Sequence, residues 1–460
     1  MSAIRFLGEF FMKVRNMTEG RPLKLLLAVA FPLMIGNVFQ QMYTVIDAQV
    51  LGRAEGYETL AALGSCDWLN WLFFGLIQGL TMGFAIPMAQ AFGANDEKTL
   101  KRSVGNAAVL GLLISIALAL IAVIGIPLFL NILKVDSELR PIATRYVRIL
   151  FAALPVVMFY NLLAGALRSM GDGKTPLYAM AIASIVNIGL DYLFVMGFRW
   201  GVEGAAAATV IAQTISCAYC IIKLKGFSMA SPSKADFRLQ ADMCKKLISL
   251  GVPVAAQNII IAIGGMIILR VVNPMGAVFM AGYTSSSKLY GVLEIAAVSF
   301  GYATSAYAGQ NFGAGKRDRI WKGVHVAAVL GIVTALLITA CMFLFGRPII
   351  ASFISGDDAE AVQKSIGIGC EFLYIMSGSL PILYLLYVYR AALQGMGDTF
   401  MPMLSGFAEL VMRTAAALIL PGIIGYTGVF WAEVLAWFGA DLILIPAYYI
   451  TMRKIKKKTA

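Results

Sequence analysis

Apolar runs of about 20 residues or more recur along this whole chain, and about 20 is what a helix needs to cross a ~30 Å hydrocarbon core. Twelve such runs are present, approximately over 24–46, 60–90, 104–132, 142–167, 175–197, 203–225, 247–270, 278–308, 322–346, 366–394, 402–422 and 428–451. Of the 460 residues, 60% are hydrophobic and 13% charged, against about 25% charged in a soluble domain, so much of the apolar surface must face lipid. Lipid offers the backbone no hydrogen bonds, and the runs are too long for barrel strands. The expected fold is all-α: a polytopic membrane protein of twelve transmembrane helices. Six cysteines exclude a secreted disulfide scaffold, and the hydropathy excludes disorder.

Met1 to Arg21 is not expected to act as a signal peptide, because Glu9 interrupts its apolar stretch and no small-residue cleavage site follows. Ile4, Leu7, Phe10, Phe11 and Val14 share roughly one helical face, with Arg5, Lys13 and Arg15 around them, so residues 1–23 are expected to lie along the membrane surface. With the N-terminus inside, the inner segments hold roughly three times as many Lys and Arg as the outer ones. The chain is therefore expected in the plasma or inner membrane with both termini cytoplasmic. This bias accounts for the net charge of +12 without a nucleic-acid partner. The tail Arg453, Lys454, Lys456, Lys457 and Lys458 reads as an anchor on anionic lipid.

The longest hydrophilic interruption, Lys223 to Lys246, separates six spans from six, and the two halves repeat each other. Gln90-Ala91-Phe92-Gly93-Ala94 returns as Gln310-Asn311-Phe312-Gly313-Ala314, and Pro32 and Asn37 return as Pro253 and Asn258. Met170-Gly171-Asp172 and Pro176 return as Met396-Gly397-Asp398 and Pro402; Gly201, Gly204 and Ala208 return as Gly425, Gly428 and Ala432. Each half has an even number of spans, so the repeats are parallel and related by an axis along the membrane normal. The expected division is an interfacial segment 1–23, an N-lobe 24–225, a cytoplasmic linker 226–246, a C-lobe 247–451 and a basic tail 452–460. Two six-helix bundles would then face a shared cavity.

Several of these features lie in a characteristic order. The first span reads Pro32-Leu33-Met34-Ile35-Gly36-Asn37, then Tyr43-Thr44-Val45-Ile46-Asp47, and ends at Leu51-Gly52. The loop after span 2 carries Gln90-Ala91-Phe92-Gly93-Ala94, and the loop after span 4 reads Arg168-Ser169-Met170-Gly171-Asp172-Gly173-Lys174-Thr175-Pro176. Span 5 adds Asn187-Ile188-Gly189-Leu190-Asp191. In these motifs and their doubling the sequence resembles the multidrug and toxic compound extrusion (MATE) family over essentially its full length, and within it the bacterial, DinF-like branch. The resemblance implies two six-helix lobes and a secondary antiporter that exports organic, often cationic, compounds in exchange for H⁺ or Na⁺. It implies no cofactor besides the coupling ion. It also implies that Asp47, Asn187, Asp191 and Thr209 form the N-lobe cluster that binds the coupling cation. The Na⁺-driven branch carries a carboxylate in span 7 shortly after the proline, and Ile259 to Ile268 contains none.

The residues themselves fit this cluster. An ionisable side chain at membrane depth costs about 2.5–3.5 kcal/mol on insertion scales, so each invites a function. Asp47 has Tyr43 one turn before it and Gln40 two turns before it on one face; Asp191 has Asn187 one turn before it. Two carboxylates in a poorly solvated pocket cannot both ionise cheaply, so a proton can load there and leave. The same oxygens also suit Na⁺. Pro32 removes a helical hydrogen bond, with Gly36 one turn on, and is the candidate hinge. Gln40, Tyr43 and Glu294 are candidate cavity residues, Glu294 as a carboxylate that attracts cations. Gln257, Asn258, Glu409, Arg413 and Glu433 complete the polar set of the second half. Glu409 and Arg413, spaced i, i+4, are expected to pair with each other.

Other motifs read as structural. Cys217 and Cys220 are expected as buried thiols, His325 as a packing or helix-end residue, and Asp172 and Asp398 as helix caps. One histidine and scattered cysteines supply neither a catalytic constellation nor a metal site, so no enzyme is expected. The expected partners are a small organic substrate and membrane lipid, with the protein as a monomer. A flippase for a lipid or lipid-linked oligosaccharide is the alternative; it calls for a strongly basic cavity, and the deep cations are few, chiefly Arg413.

Overall fold

The computed structural model describes residues 16–354 and 358–457. Residues 1–15, which carry the expected surface-lying face, and Lys458 of the basic tail lie outside the described residues. The first half comprises α1 (Pro22–Glu55), α2 (Tyr57–Gly93), α3 (Glu97–Ile132), α4 (Arg140–Ala152), α5 (Leu154–Ser169), α6 (Lys174–Asp191) and α7 (Gly201–Lys225). The second comprises α8 (Ala241–Val272), α9 (Ala277–Gly313), α10 (Arg317–Phe353), α11 (Ala359–Gly378), α12 (Leu380–Gly395), α13 (Phe400–Ile419), the short α14 (Pro421–Ile424) and α15 (Thr427–Lys457).

Among the described residues nine helices are long and apolar enough to cross a membrane, and two bent pairs raise the number to eleven. The twelfth span is α9, whose 37 residues include Thr284, Ser285, Ser286, Ser287, Lys288 and Glu294, a polar stretch that lowers its hydropathy. Spans 4 and 10, which read as single helices, are each broken, at 47° between α4 and α5 and at 46° between α11 and α12. Pro155 and Pro381 sit in the first turn of the second helix of each pair. There the missing N–H is tolerated, but the preceding helix cannot run through the ring. The repeat thus extends to its bends. Asp172 Oδ1 accepts from the backbone N–H of Lys174 (3.0 Å) and Thr175 (2.9 Å), and Asp398 Oδ1 from that of Met401 (3.1 Å), so both cap the helix that follows.

Buried apolar side chains gather into two large clusters, one drawn mainly from α2–α7 and the other from α9–α13 and α15. Two helices cross over. Leu25 to Leu33 of α1 belong to the second cluster, and Leu247 and Ala255 of α8 to the first. Both crossings lie at the end of the bundle where the chain begins and ends, called here the terminal end.

That end is sealed by the doubled Gln-x-Phe-Gly loops. A Cβ on Gly93 would stand 1.9 Å from the Gln310 carbonyl oxygen, and one on Gly313 would stand 1.8 Å from that of Gln90, so only glycine lets the halves meet. Gln90 Nε2 donates to the Gly395 carbonyl (3.1 Å), and Gln310 Nε2 to that of Ser169 (2.8 Å). Gln310 Oε1 also accepts from Met17 N (2.7 Å), while Asn311 Nδ2 and Arg319 Nη2 donate to the Met17 carbonyl. Met17, Thr18 and Gly20 are thus hydrogen-bonded to the second half. Further in, Gly79 and Gly83 of α2 lie directly against Ala255 and Gly251 of α8.

Candidate functional site

The four residues of the expected cation cluster come together on three packed helices of the first half. α1 continues to Glu55, which places Asp47 about two turns inside the helix rather than near its end. Asn187 and Asp191 lie in the last turns of α6, and Thr209 on α7. Asn187 Nδ2 donates to Thr209 Oγ1 at 3.4 Å, and Ser184 Oγ bridges to the Phe39 carbonyl of α1 at 3.2 Å. Gly36 lets α1 lie close on α6, since a Cβ there would stand 3.1 Å from Met180 Sδ. A π-helical turn, Tyr192–Gly197, follows Asp191 at once, the kind of local departure that often marks a functional site.

Asp47 is 8% exposed, Asn187 1% and Asp191 0%. Asp47 Oδ1, Asn187 Oδ1 and both carboxylate oxygens of Asp191 are buried without a hydrogen-bond partner. Asp47 and Asp191 lie within electrostatic reach of each other, and Tyr43, hydrogen-bonded to Gln40, within reach of both. Buried polar atoms are rarely left unmatched. Four buried acceptor oxygens without a donor form an environment a cation would complete.

A chamber of about 800 Å³ is lined by α2 of the first half and by α8, α9, α11, α12, α13 and α15 of the second, and none of the four cluster residues lines it. Glu294 lines it; Gln40 and Tyr43 are not among its lining residues. Its charges are largely matched. Arg390 Nη2 pairs with Glu409 Oε1, and Arg413 Nη2 with Glu433 Oε2 at 2.8 Å. Lys288 lies within electrostatic reach of Asp67. Glu294 instead accepts from the neutral Tyr387 hydroxyl at 2.6 Å. Trp68, Trp71, Tyr290 and Trp437 add aromatic walls.

The expected Glu409–Arg413 pair is not made. Both side chains are buried on α13, and each is taken by the neighbouring helix, Glu409 by α12 and Arg413 by α15. Sequence reading missed Arg390, whose signal was a basic residue in an apolar run with Gln394 one turn on. It also missed Asp441 of α15, buried at 6% exposure, which has no polar neighbour one turn away. Arg390→Ala leaves Glu409 buried without its counter-charge and is expected to destabilise the protein by about 3–5 kcal/mol, read as a lower unfolding temperature in detergent. A change below about 1 kcal/mol would show that the pair is open to water.

Twelve spans in two repeated halves around a charged chamber define a membrane transporter. The MatE family model matches residues 32–193 and 253–419, one stretch in each half, beginning at Pro32 and at its counterpart Pro253; the chain belongs to the MATE family and is not an enzyme. "Probable multidrug resistance protein YoeA" of Bacillus subtilis is 26% identical, over 93% of this chain and 93% of its own length. The multidrug export protein MepA of Staphylococcus aureus is 22% identical, over 90% of each. Among solved structures, a MATE protein in the bent conformation superposes with a TM-score of 0.89 at 22% identity, over 97% of this chain and 99% of that one. An outward-facing multidrug resistance MATE family transporter gives 0.86 at 23%, over the same shares.

Proposed function

We propose that this transporter is a secondary antiporter that exports small organic, often cationic and lipophilic, compounds in exchange for H⁺ or Na⁺, with Asp47, Asn187, Asp191 and Thr209 as the coupling-cation site. The observation that carries this reading is the set of four buried, unpartnered oxygens in the first half. The names of YoeA and MepA support multidrug export. Glu294, held by a hydroxyl rather than by a cation, supplies the charge that attracts the substrate, and the aromatic walls accept flat rings without strict geometry. The near balance of acidic and basic lining groups gives no strongly basic wall for a pyrophosphate, which weighs against a lipid-linked flippase.

The positive-inside bias makes the terminal end cytoplasmic in a plasma or inner membrane. The sealed arrangement is then the one closed to the cytoplasm. A cation entering the cluster removes one negative charge from the Asp47–Asp191 pair, and α1, which carries Asp47 and the hinge Pro32 on one helix, transmits the change to the seal formed at its start. The test is transport of ethidium in proteoliposomes with H⁺ and Na⁺ gradients imposed separately. Export by the parent under one of the two gradients, and its loss in Asp47→Asn, is the expected result. Export that persists without either gradient overturns antiport, and full coupling in Asp47→Asn overturns the site.

A further inference from the structure

At its end toward the seal the chamber adjoins a small pocket of about 30 Å³, and Met82, Tyr302 and Gln394 line both. Ser169, whose carbonyl takes the Gln310 hydrogen bond of the seal, also lines the small pocket, so this pocket lies between chamber and seal. Tyr302 of α9 is held there by two side chains of the other half. Gln78 Nε2 on α2 donates to Tyr302 Oη at 2.8 Å, and the Arg168 guanidinium of α5 lies over the Tyr302 ring, 4.4 Å from its centroid. Arg168 makes no ion pair among the described residues, so its charge is met by the π face of the ring rather than by a carboxylate.

The repeat argues that closure of the halves does not need this contact. Eight residues before Gln90 and Gln310 stand Met82 and Tyr302, and two residues before Met170 and Met396 stand Arg168 and Gln394. Met82 and Gln394 are therefore the counterparts of Tyr302 and Arg168; they line the same small pocket and are neutral. One side of the junction closes without charge, and the other places a guanidinium on an aromatic ring. A cation seated on a ring that faces the chamber is also the contact that an organic cation would make there.

We propose that the Tyr302 ring is the docking face for the substrate cation entering from the terminal end, and that Arg168 is a built-in competitor that holds this face while the seal is closed. Arg168 belongs to the first half and Tyr302 to the second, so parting of the halves at the terminal end withdraws the guanidinium and bares the ring. A flat, lipophilic cation then takes the place of Arg168. When the halves meet again Arg168 returns, and the substrate is left to the chamber, where Glu294 lies eight residues further from the seal on α9, about 12 Å along the helix. The fixed charge back on the ring opposes the return of the substrate. The inference rests on the export of organic cations proposed above and adds the place where they first bind.

Ethidium binding to the purified protein in detergent tests this with two variants, each carrying the residue that the repeat already has at the counterpart position. Both Arg168→Gln and Tyr302→Met break the contact, and Tyr302→Met also gives up the Gln78 bond, so it loosens the junction at least as much. Only Arg168→Gln leaves the ring open. Arg168→Gln is expected to bind ethidium roughly 5- to 30-fold more tightly than the parent, the range of a desolvated cation–π contact. Tyr302→Met is expected to show no gain, and the double variant to bind like Tyr302→Met. In proteoliposomes Arg168→Gln is expected to export more slowly despite its tighter binding, because nothing displaces the substrate from the ring. Equal affinity of parent and Arg168→Gln, or the same gain in the Tyr302→Met background, overturns the docking face and leaves cation export standing. Ethidium that binds neither the parent nor a variant overturns cation export itself, and the docking face with it.

Discussion

Asp191→Asn is expected to reduce gradient-driven export by at least about a hundredfold while leaving the fold intact. The carboxyl is wholly buried, and neither oxygen has a protein partner, so no packing or hydrogen bond is lost when one oxygen becomes an amide nitrogen. The substitution keeps the side-chain volume and removes no protein hydrogen bond, so the unfolding temperature should hold. What disappears is the ability to bind and release a cation, since the amide carries no charge and takes up no proton in this range. Asp47→Asn acts on the same set of oxygens, so the double variant should transport no worse than either single one; sites that act as a unit are not additive. Proteoliposome flux beside detergent unfolding curves separates these effects. Export within about twofold of the parent would remove Asp191 from the mechanism.

The second large effect belongs to the seal. Gly93→Val sets a branched side chain where even a Cβ meets the Gln310 carbonyl at 1.9 Å, and backbone on both sides gives it little room to yield. Overpacking of this kind costs about 1–3 kcal/mol, which shifts the sealed population by roughly 5- to 150-fold at 1.36 kcal/mol per decade. The cost falls on the sealed state alone, because the two glycine loops touch only when the halves meet. Gly313→Val should behave alike, as its counterpart in the repeat. A cysteine in place of Ser169, which is buried beneath the Gln310 side chain, reports the opening. Thiol labelling from the terminal side should speed up in both glycine variants, and transport should fall. Unchanged labelling would mean that the contact is not the gate.

Much of this was readable from local pattern, and what was not has a physical reason. Span length and the doubling of Pro32, Gly93 and Asp172 in the second half carried the two-lobe fold, because helix length and backbone punctuation are written along the chain. The breaks at Pro155 and Pro381 were masked, since an apolar run stays apolar through a bend. The Gln90 and Gln310 loops were visible as a repeat but not as a seal, because a meeting of two halves has no local signature. The same limit applied to Glu409, whose partner sits on another helix rather than one turn away. The N-terminal cluster was legible because each carboxylate has a polar neighbour at helical spacing. Asp441 has none, and only the packing of α12 and α13 against α15 gives it company.

Proton release on substrate binding tests the cation cluster most directly. Purified protein in weakly buffered detergent solution, mixed with ethidium near neutral pH, should acidify the medium if H⁺ is the coupling ion, or bind ethidium more weakly as Na⁺ rises if Na⁺ is. Asp191→Asn should show neither response while still binding ethidium in the chamber. Equal proton release, or equal Na⁺ competition, from parent and variant would contradict the assignment of those four oxygens as the coupling site.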